Sequence, residues 1–286
     1  MSLEKKYKYA VGIILYNPSE ENFDNLVNYT KKFNKIYIYD NSKDNNSKKI
    51  ESILVDKNYT YFFNGLNEGI SIPFNKMIQE SKKENCDYFL MMDQDSYFNS
   101  QNIEFLVSEV ERNTDNNSVL FCPNIFFNGT KKGEIEENAS VEFCITSGSI
   151  VNVNVFIELK GYDENLFIDG VDRDFCIRVI ENNFRIKKIK DSMMKQTLGD
   201  KNKNLLGIYE HSPLRNYYIY RNRLYVINKY PLKFNKLSKI KSLYLSQLKQ
   251  IFSIVFFEDK KVEKYNFIKK AKLDYKENRM GKIRGE

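Results

Sequence analysis

The sequence predicts an α/β protein: a doubly wound, mostly parallel sheet flanked by helices, followed by a C-terminal helical extension. Three observations predict it. Between residues 9 and 92, apolar runs alternate with amphipathic stretches in a β-α-β-α-β-α-β rhythm. The apolar runs are nearly continuous, as in strands buried on both faces. From Leu214 onward only helical patterns remain, interrupted near Tyr230-Pro231. The expected division is residues 1–212 as the catalytic or binding body and 213–286 as a basic helical extension.

The elements follow in order. Tyr9 to Tyr16 reads as a first strand, ended by Asn17-Pro18-Ser19, and Glu20 to Phe33 as a helix. Lys35 to Tyr39 is a second strand, stopped by Asp40-Asn41-Ser42, and Ser47 to Val55 is helical. Thr60 to Phe63 is a third strand, Asn64 to Gly69 a turn, and Ile70 to Ser81 a helix with Pro73 in its first turn. Tyr88 to Met92 is the fourth strand. A helix over Asn102 to Arg112 and a strand over Val119 to Phe127 come next, then a loop from Asn128 to Gly133. Glu142 to Val151 is strand-like with a break at Ser147-Gly148-Ser149, and Val155 to Lys160 is a short helix. Gly161 to Asp169 is a loop, Asp172 to Asn182 a helix and Phe184 to Ile189 a strand. Ligands of such sheets bind beyond the carboxyl ends of the strands. That rule places Asn17, Asp40, the 64–69 turn and Asp93 on one rim.

Composition bounds the function. At 42% hydrophobic residues the chain has material for a substantial core and is not a disordered protein. The four cysteines, Cys86, Cys122, Cys144 and Cys176, are widely spaced with no CxxC pair. That excludes a sequence-legible structural zinc site and reads as single buried thiols in a reducing compartment. No secretory signal and no apolar run long enough for a membrane helix stand out, so a cytoplasmic protein is expected. The net charge of +7 is uneven: residues 229–286 carry 16 Lys and Arg against 6 Asp and Glu. Such a tail suits a solvated helical surface, an anionic membrane face or acidic partners. Leu243, Leu245, Leu248, Ile251, Ile254 and Val255 form an apolar helical stripe within it, expected to pack on the core or a second copy, or to lie in a membrane interface.

The sharpest local signal is Asp93-Gln94-Asp95-Ser96, directly after the fourth strand. Two carboxylates two residues apart at a strand end can share one divalent cation, and hard oxygen ligands suit Mg²⁺ or Mn²⁺ on a diphosphate. There is no G-x-x-x-x-G-K-[ST] loop and no G-x-G-x-x-G run, so metal and basic side chains are expected to hold the phosphates. A second acidic group is Asp169-Gly170-Val171-Asp172-Arg173-Asp174, with Arg178 one turn on. Asp172 reads as a helix N-cap, and Asp174 suits the positive end of the helix dipole.

As an ordered set, these segments resemble the family 2 glycosyltransferases of the GT-A fold over about residues 8 to 225. Asp93-Gln94-Asp95 resembles their D-x-D motif, Ile14-Leu15-Tyr16-Asn17 their V-x-Y-N strand end, and Tyr39-Asp40-Asn41-Ser42 their V-D-N-S segment. Asn67-Glu68-Gly69 with Asn75 resembles their N-x-G-x-x-x-x-x-N segment. The spelling D-Q-D-S, with Phe167 to Asp172, is most similar to the bacterial rhamnosyltransferase branch.

The resemblance implies an inverting, metal-dependent transferase. Asp93, Asp95 and the single histidine, His211, would hold the cation. Tyr16, Asn17, Asp40, Asn41, Asn67, Gly69, Asn75, Asp93 and Gln94 would bind the nucleotide. Asp172 would be the base, with Asp169 the rival, because Val171 stands where the family pattern E-D-x-D-x-x-x-R has Glu. Ser147, Gly148, Asp174, Arg178, Arg215 and Arg221 would position donor and acceptor. The loop around Gly199 to Gly207 would close over the donor. The implied donor is dTDP-L-rhamnose, with UDP-sugars the alternative. The implied acceptor is a glycan or lipid-linked glycan at the inner membrane face, with peripheral membrane contact or a homodimer as accompaniments and no nucleic-acid partner. Two other classes compete. A nucleotidyltransferase would carry a Gly-rich loop where Tyr16-Asn17-Pro18 stands, and a non-catalytic binding protein would have no need of Asp93, Asp95 and Asp172 together.

Overall fold

A computed structural model of the chain describes residues 7–127, 137–196, 210–234 and 240–284. Its contacts divide the chain into two compact units. The first is Met1–Asp163 with Asp172–Thr197, and the second is Glu164–Val171 with Leu198–Glu286. The division is therefore not a single cut: the short stretch 164–171 belongs with the C-terminal helices.

The first unit carries the sheet. Strands β1 (Tyr9–Leu15), β2 (Lys35–Asp40), β3 (Tyr59–Phe63) and β4 (Tyr88–Met92) alternate with helices α1 (Glu20–Thr30), α2 (Ser47–Ile53) and α3 (Ser71–Lys83). β1 lies between β2 and β4, parallel to both, and β3 extends the sheet beyond β2. Every residue of β1, β2 and β4 is buried, as their unbroken apolar runs require. Helix α1 starts on a capping box between Ser19 and Asn22, which ends the turn after β1. Its Phe23, Leu26 and Tyr29 pack with Val11, Ile13 and Leu15 in the main core.

After β4 the order departs from a plain parallel sheet. A two-residue strand β5 (Ser96–Tyr97), which has no apolar run to announce it, follows the Asp93–Asp95 turn. Helix α4 (Ser100–Arg112), capped by Asn99, leads to β6 (Ser118–Phe127). Then come β7 (Ala139–Val141), β8 (Ser149–Asn152), α5 (Val153–Glu158), α6 (Val171–Glu181) and β9 (Arg185–Gln196). Among the described residues the main path is β3-β2-β1-β4-β8-β6-β9-β5, with β7 paired to β9.

Strand β8 is antiparallel to both β4 and β6. The strand-like stretch expected over 142–151, with its break at 147–149, is strand only from Ser149 on, with β7 lying just before it, and β9 runs well past its expected end at Ile189. A parallel β8 would need a crossover. Instead the chain enters β8 on the carboxyl-end rim and runs back down the sheet. Gly148 makes that entry: it takes φ +80°, and its N–H donates to the Met91 carbonyl at 2.8 Å. A Cβ there would lie 2.5 Å from the Met194 sulfur.

The second unit is helical. It comprises α7 (Pro213–Lys229), a π-helical turn (Ile240–Leu245), α8 (Ser246–Phe257) and α9 (Lys261–Lys276). Ser212 caps α7, and Pro213 occupies its first turn. A small core of Tyr217, Tyr218, Ile254, Ile268, Ala271 and Ile283 holds these helices together. Among the described residues no helix is long and apolar enough to cross a membrane.

Candidate active site

The carboxyl ends of β1, β2 and β4 are tied together by side chains that sequence reasoning assigned to the nucleotide. The Gln94 amide forms a reciprocal pair with the Tyr16 backbone, accepting from its N–H at 2.8 Å and donating to its carbonyl at 3.0 Å. Asn17 takes a left-handed φ of 45°, and its N–H donates to Ser42 Oγ. Asn41 donates to the Gly69 carbonyl at 2.7 Å and accepts from the Glu68 N–H at 3.0 Å, joining β2 to the 64–69 turn. Asn67 accepts from the Gly69 N–H, closing that turn. Asn75 pairs with both backbone groups of Tyr162, at 2.7 and 2.9 Å.

Asp40 is 0% exposed, and its carboxylate is spent within the protein. It accepts from the N–H groups of Ser42 and Asn46, from the Asn46 amide and from the Tyr61 hydroxyl at 2.6 Å. Buried carboxylates need such donors. Asp40 therefore shapes the 41–46 loop, while Tyr16, 51% exposed, and Asn17 are exposed at the end of β1.

Asp93 lies at the end of β4, half-buried. Its Oδ1 accepts from Ser147 Oγ at 2.6 Å and Ser96 Oγ at 2.5 Å, and its Oδ2 accepts from Gln196 at 3.3 Å. The Asp93 N–H in turn donates to Ser147 Oγ at 3.2 Å. Asp95, two residues on, is exposed. This set fits a hard divalent cation: oxygen donors only, one carboxylate fixed by hydroxyls and a second, exposed residue's carboxylate two positions on. Among the described residues, no three His, Cys, Asp or Glu side chains are already gathered as a cage. Substrate oxygens or water would complete the shell.

Asp172 sits in the first turn of α6, where the helix dipole favours negative charge. The Thr146 hydroxyl donates to its Oδ1 at 2.6 Å. Thr146 also meets the Tyr162 hydroxyl at 3.0 Å. Burial, and next the charge of Asp172, hold that phenol far above its usual value, so it stays protonated. Asp174 is fully buried and faces Arg178, which donates from Nε at 2.9 Å and Nη2 at 2.8 Å; Arg178 also donates to the Leu159 carbonyl. Asp174 and Arg178 thus anchor α6, rather than presenting open charge.

Thr146, Ser96, Gln196 and Tyr162 were not among the expected site residues. The D-Q-D-S spelling carried a signal for Ser96. Nothing in the sequence ties the other three to these carboxylates. All four thiols are free and buried, but they are not all isolated: the Cys144 and Cys176 sulfurs are 3.9 Å apart. Contact with Cys122, then burial, holds the Cys144 thiol well above its ordinary range.

In the second unit, Asp169 takes φ 58°, and Arg215 donates to its Oδ1 at 3.3 Å. His211 is half-buried. Burial and the nearby Arg215 charge lower its pKa, so it is neutral at pH 7, the form that ligates metals. Arg221 does not fit the expected role of contacting donor or acceptor. It is 0% exposed, packed on the rings of Tyr217 and Tyr218, and donates to the Tyr217 hydroxyl and to the carbonyls of Arg279 and Gly281. Its neighbour Asn222 donates to the carbonyls of Ile168 and Asp169. The expected closing loop, Gly199 to Gly207, and the 128–133 loop lie outside the described residues.

Comparison with known proteins gives the family and the fold. The family model for glycosyl transferase family 2 matches residues 13–181. The dTDP-rhamnosyl transferase RfbF of Shigella flexneri is 29% identical over 240 residues, covering 77% of this chain and 80% of that protein. Among solved structures, GalNAc-T7 with UDP, GalNAc and Mn²⁺ superposes with a TM-score of 0.62 at 13% identity, over 95% of this chain. The chain spans 56% of that enzyme. Residues 1–349 of S. aureus TarS, in complex with UDP-GlcNAc, superpose with a TM-score of 0.60 at 15% identity, over 94% of this chain and 80% of that one. At these identities the structures establish the GT-A fold.

Proposed function

This chain belongs to glycosyl transferase family 2, and we propose that it transfers L-rhamnose from dTDP-L-rhamnose, with inversion, to a hydroxyl of a cell-surface glycan or lipid-linked glycan precursor. The observation that carries the reading is the pair of adjacent hydroxyls, Thr146 and Ser147. One holds the Asp172 carboxylate and the other the Asp93 carboxylate. A transferase needs both a phosphate-side anchor and a base on the acceptor side, at a fixed separation. Placing both on one dipeptide supplies that rigidity. The similarity to the Shigella dTDP-rhamnosyl transferase supports the choice of donor.

In this reading Asp93 and Asp95 would hold a divalent cation, whose charge would offset that of the departing nucleoside diphosphate. Tyr16 and Asn17 line the nucleotide, and the loop shaped by Asp40 and Asn41 closes its far side. Asp172 takes the proton of the acceptor hydroxyl as that oxygen attacks the anomeric carbon. Asp169 is disfavoured as base because the Arg215 guanidinium already engages it. The reaction is placed at the cytoplasmic face of the membrane, where such donors and lipid-linked acceptors meet.

The test is a thermal-shift series with dTDP, dTDP-L-rhamnose, UDP and UDP-hexoses, each with and without Mn²⁺ or Mg²⁺. A metal-dependent stabilisation by the dTDP compounds, lost in Asp95→Ala, is expected. Stabilisation by UDP compounds alone would overturn the donor and leave the fold family standing. No response to any nucleotide would overturn the catalytic reading.

A further inference from the structure

The apolar stripe of the C-terminal extension does not pack on the core as one face. In α8 (Ser246–Phe257) the buried positions are Ser253 and Ile254. Leu248, Phe252 and Phe256 are 61%, 47% and 60% exposed, and Val255 stands open beside them. At 100° per residue these four fall within one arc of about 100°. They line, with Ile251 and Lys249, a shallow apolar depression of about 490 Å³. Exposed Tyr244 and Leu245 continue the apolar surface into the preceding π-helical turn. A contiguous apolar surface of this kind marks an interaction site.

Charge selects its occupant. From Lys229 to Phe257 the chain carries six lysines and no aspartate or glutamate. Lys249 is exposed at the rim of the apolar arc, and Lys260 and Lys261 are exposed just past the end of α8. A second copy would present the same lysines, so a two-fold contact on this face would oppose like charges. Size argues the same way. A twelve-residue helix is about 18 Å long, so one face offers a few hundred Å², against about 800 Å² per partner in a stable interface. Aromatic and aliphatic side chains among lysines, with no acid from Lys229 to Phe257 and Asp259 the first exposed acid past the helix end, have the composition of an interfacial helix on anionic lipid.

We infer that the exposed face of α8 docks the protein on an anionic phospholipid bilayer, with Leu248, Phe252, Val255 and Phe256 entering the headgroup boundary and the flanking lysines meeting lipid phosphates. This goes beyond the donor reading and is independent of it, because vesicle binding is read without nucleotide or turnover.

The experiment is flotation of the full chain with vesicles of phosphatidylcholine alone and of phosphatidylcholine with phosphatidylglycerol. Binding is expected on the anionic vesicles only, and it should weaken as salt rises. The double variant Phe252→Glu/Phe256→Glu should lower vesicle affinity by about tenfold or more, with an unchanged circular dichroism melt. Absence of binding to anionic vesicles, or equal binding by the double variant, would overturn the inference. So would a dimer in analytical ultracentrifugation that the double variant dissociates while vesicles leave the wild type unbound; that result assigns the face to a second copy. If the double variant does not fold, Phe252→Trp serves instead. The chain has no tryptophan, so its emission reports this position alone. A blue shift on anionic vesicles supports docking, and an unshifted spectrum with the protein bound excludes this face.

Discussion

Thr146 donates its hydroxyl proton to Asp172 across 2.6 Å, joining the approach to β8 with the first turn of α6. Asp172 as carboxylate only accepts, so Thr146 must be the donor. The buried Tyr162 hydroxyl stands 3.0 Å behind it and is protonated. The base candidate is thereby oriented by a side chain with a single proton to give.

Removing that donor tests the relationship. Thr146→Val should lower kcat by about tenfold, the worth of one hydrogen bond to a charged group, while KM for the donor stays near wild type. Thr146→Ser should restore most of the rate. Asp172→Asn should cost about 10²- to 10⁴-fold in kcat and leave the nucleotide-induced thermal shift intact. Steady-state kinetics on the three variants decide this. A Thr146→Ser enzyme as slow as Thr146→Val would mean that the methyl packing matters instead of the hydroxyl.

Ser147 stands to Asp93 as Thr146 does to Asp172. Its loss should weaken the cation rather than the base. Ser147→Ala is expected to raise the Mn²⁺ concentration for half-maximal thermal stabilisation by about tenfold, the usual effect of removing a ligand's hydrogen-bond partner. An unchanged midpoint in a metal titration of the nucleotide complex would refute the assignment.

Arg221 is predicted to act on stability. Its guanidinium meets the carbonyls of Arg279 and Gly281, so Arg221→Met should leave those acceptors short of donors. The cost should be about 2–4 kcal/mol, from several charge-assisted bonds and the tyrosine contacts. Truncation before Arg279 should lower the melting temperature in the same way. Urea unfolding of both variants, followed by circular dichroism, measures the loss.

The second unit should also be sensitive to acid. Burial alone raises the Asp274 pKa, but bonds from Tyr217 and Arg279 and the charges of Lys270 and Arg279 outweigh it and hold it below its ordinary value of 3.8. A depressed carboxylate contributes stability that is present above the unfolded pKa and lost as pH falls through the folded one. Thermal stability should therefore fall as pH drops below about 4. Asp274→Asn should be less stable at neutral pH and show a flatter acid limb in melts across pH.

Much of the fold was legible because its signals are local. Unbroken apolar runs announced β1, β2 and β4, and the polar residues ending them announced the rim. Strand β5 was not legible, since two residues carry no periodicity. The reversal of β8 was hidden because an apolar strand reads the same in either direction. The burial of Arg221 was hidden because helical spacing identifies a face without saying what covers it, and here residues 279–281 do.

The sequence by itself determined the parallel sheet, the carboxylates Asp93, Asp95 and Asp172 as the chemical candidates, and the basic apolar stripe of the tail. Those depend on residue type and short-range spacing. Only the tertiary structure decided which hydroxyls hold the carboxylates, that Asp40 and Arg221 are spent internally, and which side of α8 is left open. These depend on strand direction and on contacts between residues tens of positions apart, such as the 54 that separate Asp93 from Ser147. Chain entropy opposes such contacts until the sheet has formed.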